Sequence, residues 1–119
     1  MIAKRIRSFG YAITGIKLAW REEVNFRAEV VLGVMALAAG IFFNISYLEW
    51  LVLLGWCAVV LMAEAFNTAL EELCDMLRTT HDPHVAKIKD LAAAAVLIAS
   101  VGALLTGCMI FVPRILALI

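Results

Sequence analysis

Residues 63–75 read Ala63-Glu64-Ala65-Phe66-Asn67-Thr68-Ala69-Leu70-Glu71-Glu72-Leu73-Cys74-Asp75. The stretch continues an apolar run that begins near Trp50 and is long enough to cross a bilayer. A carboxylate within such a run is costly, so an intramembrane acid is a functional candidate by default. On a helix advancing about 100° per residue, Glu64, Asn67, Thr68, Glu71 and Asp75 share one stripe. The stripe starts at depth with Glu64 and runs out to the surface with Asp75. A structural partner such as Asn67 or Lys89 is the competing explanation for Glu64.

Two more apolar segments flank this one. The predicted spans are 28–45, 47–70 and 91–112, each near the ~20 residues a spanning helix needs. The chain has 119 residues, 65% of them hydrophobic, well above the soluble-protein average of about half. One membrane domain over 1–119 is expected, all-α. The net charge is zero, and no nucleic-acid partner is expected. Lys4, Arg5, Arg7, Lys17, Arg21 and Arg27 crowd the start, and Arg78, Lys87 and Lys89 fall in one predicted loop. The turn around residues 44–50 has no base. The positive-inside rule puts the N-terminus and the second loop in the cytoplasm and the C-terminus outside, with Arg114 the contrary charge.

Residues 1–25 carry no apolar core leading to a small-residue cleavage site, so no signal peptide is expected. Ile2, Ile6, Phe9, Ile13, Ile16 and Trp20 recur at steps of three and four, with the bases mostly off that stripe. This pattern predicts an amphipathic helix over 1–25 on the anionic leaflet. Gly10 and Gly15 weigh against its being unbroken. Cys57, Cys74 and Cys108 lack metal-type spacing, and His81 and His84 around Pro83 look like loop residues.

The acids gather at one membrane face: Glu22 and Glu23, then Glu64, Glu71, Glu72 and Asp75, then Asp90 beside Lys89. Mg²⁺ takes carboxylate oxygens together with substrate phosphates. Carboxylates at the interface with a deeper one about two turns in, roughly 10 Å, suit phosphoryl transfer from a soluble donor to a lipid alcohol. No glycine-rich phosphate loop is present. A small proton- or cation-coupled carrier using Glu64 is the alternative, and it has little use for a second acid layer. Plainer roles also fit: Glu71 and Glu72 as interfacial acids, Asp75 paired with Arg78, Asp90 as the cap of the third span, Asn67 as helix–helix glue.

These residues resemble the prokaryotic diacylglycerol kinase family, which includes undecaprenol kinases. The likeness is carried by Tyr11-Ala12-Ile13-Thr14-Gly15-Ile16 with Trp20, by Glu23-Val24-Asn25-Phe26-Arg27, by Glu64 to Glu71 with Asp75, and by Ala86-Lys87-Ile88-Lys89-Asp90 followed by Ala94-Ala95-Val96-Leu97. It implies a homotrimer of three-span subunits, each with a surface helix, in the bacterial cytoplasmic membrane. It implies transfer of the γ-phosphate of Mg-ATP to undecaprenol or diacylglycerol. It makes Glu64 the catalytic base that meets the lipid hydroxyl, and Glu23 and Glu71 the Mg²⁺ ligands. Lys4, Tyr11, Glu23, Glu71, Lys89 and Asp90 would bind ATP, with Asn67 and Asp75 in support. Asn25, Leu48-Glu49-Trp50 and Phe111-Val112-Pro113 look more like the undecaprenol branch, and Phe26-Arg27-Ala28-Glu29 more like the diacylglycerol branch. The balance tips slightly to undecaprenol. The segment Arg78-Thr79-Thr80-His81-Asp82-Pro83-His84 departs from the family pattern near S-P-E-Y-H-P-L, which puts its nucleotide contacts in question.

Overall fold

A computed structural model describes residues 1–77 and 82–119. They form four helices: α1 (Ile2–Glu22), α2 (Val24–Phe42), α3 (Tyr47–Met76) and α4 (Pro83–Leu116). The last three are each long and apolar enough to cross a membrane. Helices satisfy their own backbone groups, which a bilayer interior requires. α1 is continuous, and the glycines at 10 and 15 sit in open space without breaking it.

The helices exceed the predicted spans at several ends. The largest difference is at α4, which begins at Pro83 rather than near residue 91. Lys87, Lys89 and Asp90 therefore lie on a helix and not in a loop, and Asp90 is not the cap. Asp82 is the N-cap: its Oδ1 accepts the His84 backbone N–H at 2.8 Å, and Pro83 occupies the first turn. Aspartate at the cap and proline just inside are both favoured there. The expected Asp75–Arg78 pairing, the His81–His84 spacing and the contacts of residues 79–81 fall on positions outside the described residues.

The α2–α3 connection is tight for identifiable reasons. The Ile45 N–H bonds Gly40 O and the Asn44 N–H bonds Ile41 O, both at 3.2 Å. That is the Schellman pattern, with Asn44 left-handed at φ 50. Asparagine tolerates this conformation better than most residues. A side chain at Gly40 would collide with Trp50 and Ile45, so the chain needs glycine here. Ser46 then opens α3 with a capping box. Its hydroxyl accepts the Glu49 N–H, and the Glu49 carboxylate accepts the Ser46 N–H.

α3 and α4 are the principal packed pair, and they run antiparallel. Three pairings set the register: Glu49 with Arg114, Trp56 with Gly102, Asp75 with Lys89. Arg114, the contrary charge of the sequence, is gripped by both Glu49 oxygens at 2.8 Å. The buried cluster of Ile45, Leu53 and Ile110 lies at this same end, with Phe43, Trp50 and Phe111 against it. Leu32, Met35, Leu97, Ile98 and Leu104 instead face outward, as side chains toward hydrocarbon do.

Gly102 gives a test of the helix contact. A Cβ there would overlap the Trp56 ring. Gly102→Ala is expected to cost about 1–3 kcal/mol, the usual penalty of overpacking, read by denaturant unfolding in mixed micelles. Trp56→Leu removes the obstruction, so the double variant should lose less than the sum of the single losses.

Candidate functional site

The α3 stripe is graded in burial as its sequence suggests. Glu64 is 3% exposed, the one buried charged side chain among the described residues. Asn67, Thr68 and Glu71 are half-buried, and Asp75 is exposed. The register between α3 and α4 brings Ala99 opposite Glu64, and Ala99 is itself buried. Small side chains on α4 let the helices close over the carboxylate.

The side chains of the stripe bond along the helix and across to α4. Asn67 Nδ2 donates to Glu71 Oε1 at 3.4 Å, the i,i+4 spacing that neighbours require. Asn67 Oδ1 is buried and has no hydrogen-bond partner among the described residues. Lys89 Nζ donates to Asp75 Oδ1 at 2.9 Å, with both side chains largely in the open. Lys89 is also within electrostatic reach of Glu71. Glu23, Glu29 and Glu71 are all near enough to Glu64 to act on it through space. The chain thus gathers acids from the α1–α2 junction, from α2 and from α3.

Other expected site residues stand apart. Lys4 and Tyr11 are exposed on α1 and make no side-chain bond to the acids. Along α1, Lys4 is about 28 Å from Glu23 at 1.5 Å per residue. Asp90 is exposed on α4, and its side chain bonds to none of the described residues. Among the described residues, no three acids, histidines or cysteines converge closely enough to hold a metal by themselves. Glu29 was missed as a member of the acid group. It is a half-buried carboxylate within α2, and the rule that singled out Glu64, an acid inside an apolar segment, would have found it.

A groove of about 880 Å³ lies between α1, α2 and α3. Trp20, Phe26 and Val30 form apolar wall, and Lys17, Arg21 and Arg27 contribute cationic heads. Leu61, Met62 and Ala65 close it from α3, on the helix face next to the one bearing Glu64.

The arrangement is that of an enclosed carboxylate below a polar exit, with a cation and several acids at the mouth. The sequence profile of the prokaryotic diacylglycerol kinase family matches residues 10–111. The chain is similar to the diacylglycerol kinase of Escherichia coli strain K12, 29% identical over 105 residues covering 88% of this chain and 86% of that protein. It is similar to the undecaprenol kinase of Bacillus subtilis strain 168, 30% identical over 109 residues covering 92% and 89%. A Synechocystis diacylglycerol kinase is 34% identical over 112 residues, covering 93% of this chain and 64% of that protein. A match over residues 10–111, most of the chain, places this multi-pass membrane protein in the prokaryotic diacylglycerol kinase family.

Proposed function

We propose that the protein is a membrane lipid kinase that transfers the γ-phosphate of ATP to the hydroxyl of a lipid alcohol. The observation that carries this is the enclosed Glu64 carboxylate beneath the half-buried Asn67 and Glu71 and the Asp75–Lys89 pair. Glu64 takes the proton of the lipid hydroxyl. The lipid oxygen then attacks the γ-phosphorus, the bond to the bridging oxygen of the β-phosphate breaks, and ADP leaves. A carrier would need Glu64 but not the acids above it.

The donor set fits a hard cation. Glu23 and Glu71 offer carboxylate oxygens, and Asn67 Oδ1, buried without a hydrogen-bond partner among the described residues, offers a carbonyl oxygen. Glu23 and Glu71 would hold Mg²⁺. When bound, the ion neutralises charge on the β- and γ-phosphates. Lys89, paired with Asp75, would turn to phosphate, and Asp90, next along α4, would complete the nucleotide contacts. Lys4 and Tyr11 lie far along α1 from the acids of their own chain. In a homotrimer, a neighbouring subunit would bring them to the nucleotide. The α1 stripe of Ile2, Ile6, Phe9, Ile13 and Ile16 is wholly exposed, which suits a helix lying on the cytoplasmic leaflet.

Undecaprenol is the first acceptor to test. The two segments that resemble that branch, 48–50 and 111–113, meet at the end of the molecule closed by Glu49 and Arg114. Purified protein in mixed micelles with labelled ATP and either undecaprenol or diacylglycerol reads the preference directly. Label in neither lipid would exclude the kinase.

Glu64→Gln keeps shape but cannot accept a proton. The rate is expected to fall by about 10²–10⁴, the usual worth of general base catalysis, in a protein that still purifies as wild type does. Retention of a tenth of the rate or more would remove Glu64 from the base role.

Glu23→Gln and Glu71→Gln are each expected to raise the Mg²⁺ needed for half-maximal activity, by about tenfold or more for a lost ligand partner. Titrations unchanged in both variants would shift the metal to other acids.

The proposal needs the protein in the bacterial cytoplasmic membrane with the acids on the side of the ATP pool. In a cysteine-free background, Tyr47→Cys should react with an impermeant thiol reagent added to intact cells, and His84→Cys should be shielded. The reverse pattern would place the acids away from ATP and end the proposal.

A further inference from the structure

We propose that Arg27 is a positioning residue: its guanidinium caps the C-terminus of α1 and so fixes where Glu23 stands in the site. This rests on Glu23 being a metal ligand, as proposed above. The sequence offers no local means of ending α1. One residue, Glu23, separates α1 from α2, in extended conformation at φ −109 and ψ 110. No glycine follows α1, and among the described residues the only positive-φ position is Asn44, in a different turn. The usual left-handed cap is therefore missing.

Arg27 supplies what the chain lacks. Its Nη1 donates to Trp20 O at 2.8 Å and to Arg21 O at 2.9 Å. Ala19 O already accepts the Glu23 N–H, and Glu23 O accepts the Arg27 N–H. The two carbonyls that α1 would leave open next are thus the ones Arg27 fills. A cation is favoured at the negative end of a helix dipole. In the first turns of its own helix, α2, the same charge is unfavourable. The position makes sense as a brace for α1 rather than as a feature of α2. Phe26 and Ala19, both buried, seat the elbow beside it.

Glu23 sits at the corner that this brace sets, and it is near enough to act on Glu64. Holding α1 against the start of α2 holds the Glu23 backbone on both sides. Without the brace, the corner opens and the carboxylate loses its place relative to Glu71, while both acids remain chemically intact. Arg27 acts through Glu23, so its loss and the loss of Glu23 should not compound.

The test measures Mn²⁺ binding by electron paramagnetic resonance, with a non-hydrolysable ATP analogue, on the full chain in bilayers. It compares Glu23→Gln, Arg27→Gln, the double variant and Arg27→Lys. Amide exchange over residues 19–24 is followed in each. Arg27→Gln is expected to raise half-saturating Mn²⁺ by about tenfold, the lower range for losing a ligand's supporting partner. The double variant should match Glu23→Gln alone, and Arg27→Lys should recover part of the loss. Exchange at 19–24 should quicken in Arg27→Gln by about tenfold, as suits a lost charge-assisted bond. A metal curve unmoved in Arg27→Gln while Glu23→Gln shifts it, or shifts that multiply in the double variant, would overturn the proposal. Should Arg27→Gln not assemble, Arg27→Lys carries the same comparison. If Glu23→Gln itself leaves the curve in place, Glu23 is not the ligand, and unchanged exchange at 19–24 in the Arg27 variants would then overturn the brace as well.

Discussion

An ionisable carboxylate enclosed at 3% exposure within an apolar helix is the constraint around which this protein is arranged. Such a group is expensive in hydrocarbon and is tolerated when it faces neighbouring helices. Glu64 meets that condition: α3 packs along α4, where Ala92 and Ala99 are buried on one face seven residues apart, and also against α1 and α2, whose Glu23 and Glu29 lie within electrostatic reach. Gly102 continues the narrow seam and receives the Trp56 ring. Bulkier residues there would hold the helices apart and open the carboxylate to lipid.

The two ends of the helical hairpins do different work. At the far end, Ile45, Leu53 and Ile110 are buried together, the turn is capped on both sides, and Glu49 holds Arg114 through two bonds. A bidentate pair of this kind fixes geometry as well as charge. At the other end the polar side chains are open or half-open. Asp75 and Lys89 pair in solvent, and Glu71 shares a long bond with Asn67. Packing closes one end, and the polar side chains of the other stay open to solvent.

The chain belongs to the prokaryotic diacylglycerol kinase family. Phosphoryl transfer asks little covalent chemistry of a protein and much positioning. Three local devices set how the helices of this chain meet. A single guanidinium ends one helix, an asparagine turn reverses the chain, and a proline-and-aspartate start extends α4 far enough to carry Lys89 to Asp75.

The amino-acid sequence by itself determined the all-helical class, the three apolar helices and the graded stripe from Glu64 to Asp75. Those features are local: hydrophobic length and a repeat near 3.6 residues are readable one helix at a time. The start of α4 was legible too, in Asp82 and Pro83, but the bases at 87 and 89 made that stretch look like a loop. Tertiary structure alone decided that Arg114 meets Glu49 across 65 residues, that Lys89 meets Asp75, and that Arg27 closes α1. Each depends on the angle and register between helices. Side-chain contacts and helix ends fix these jointly, and no periodicity within one segment encodes them.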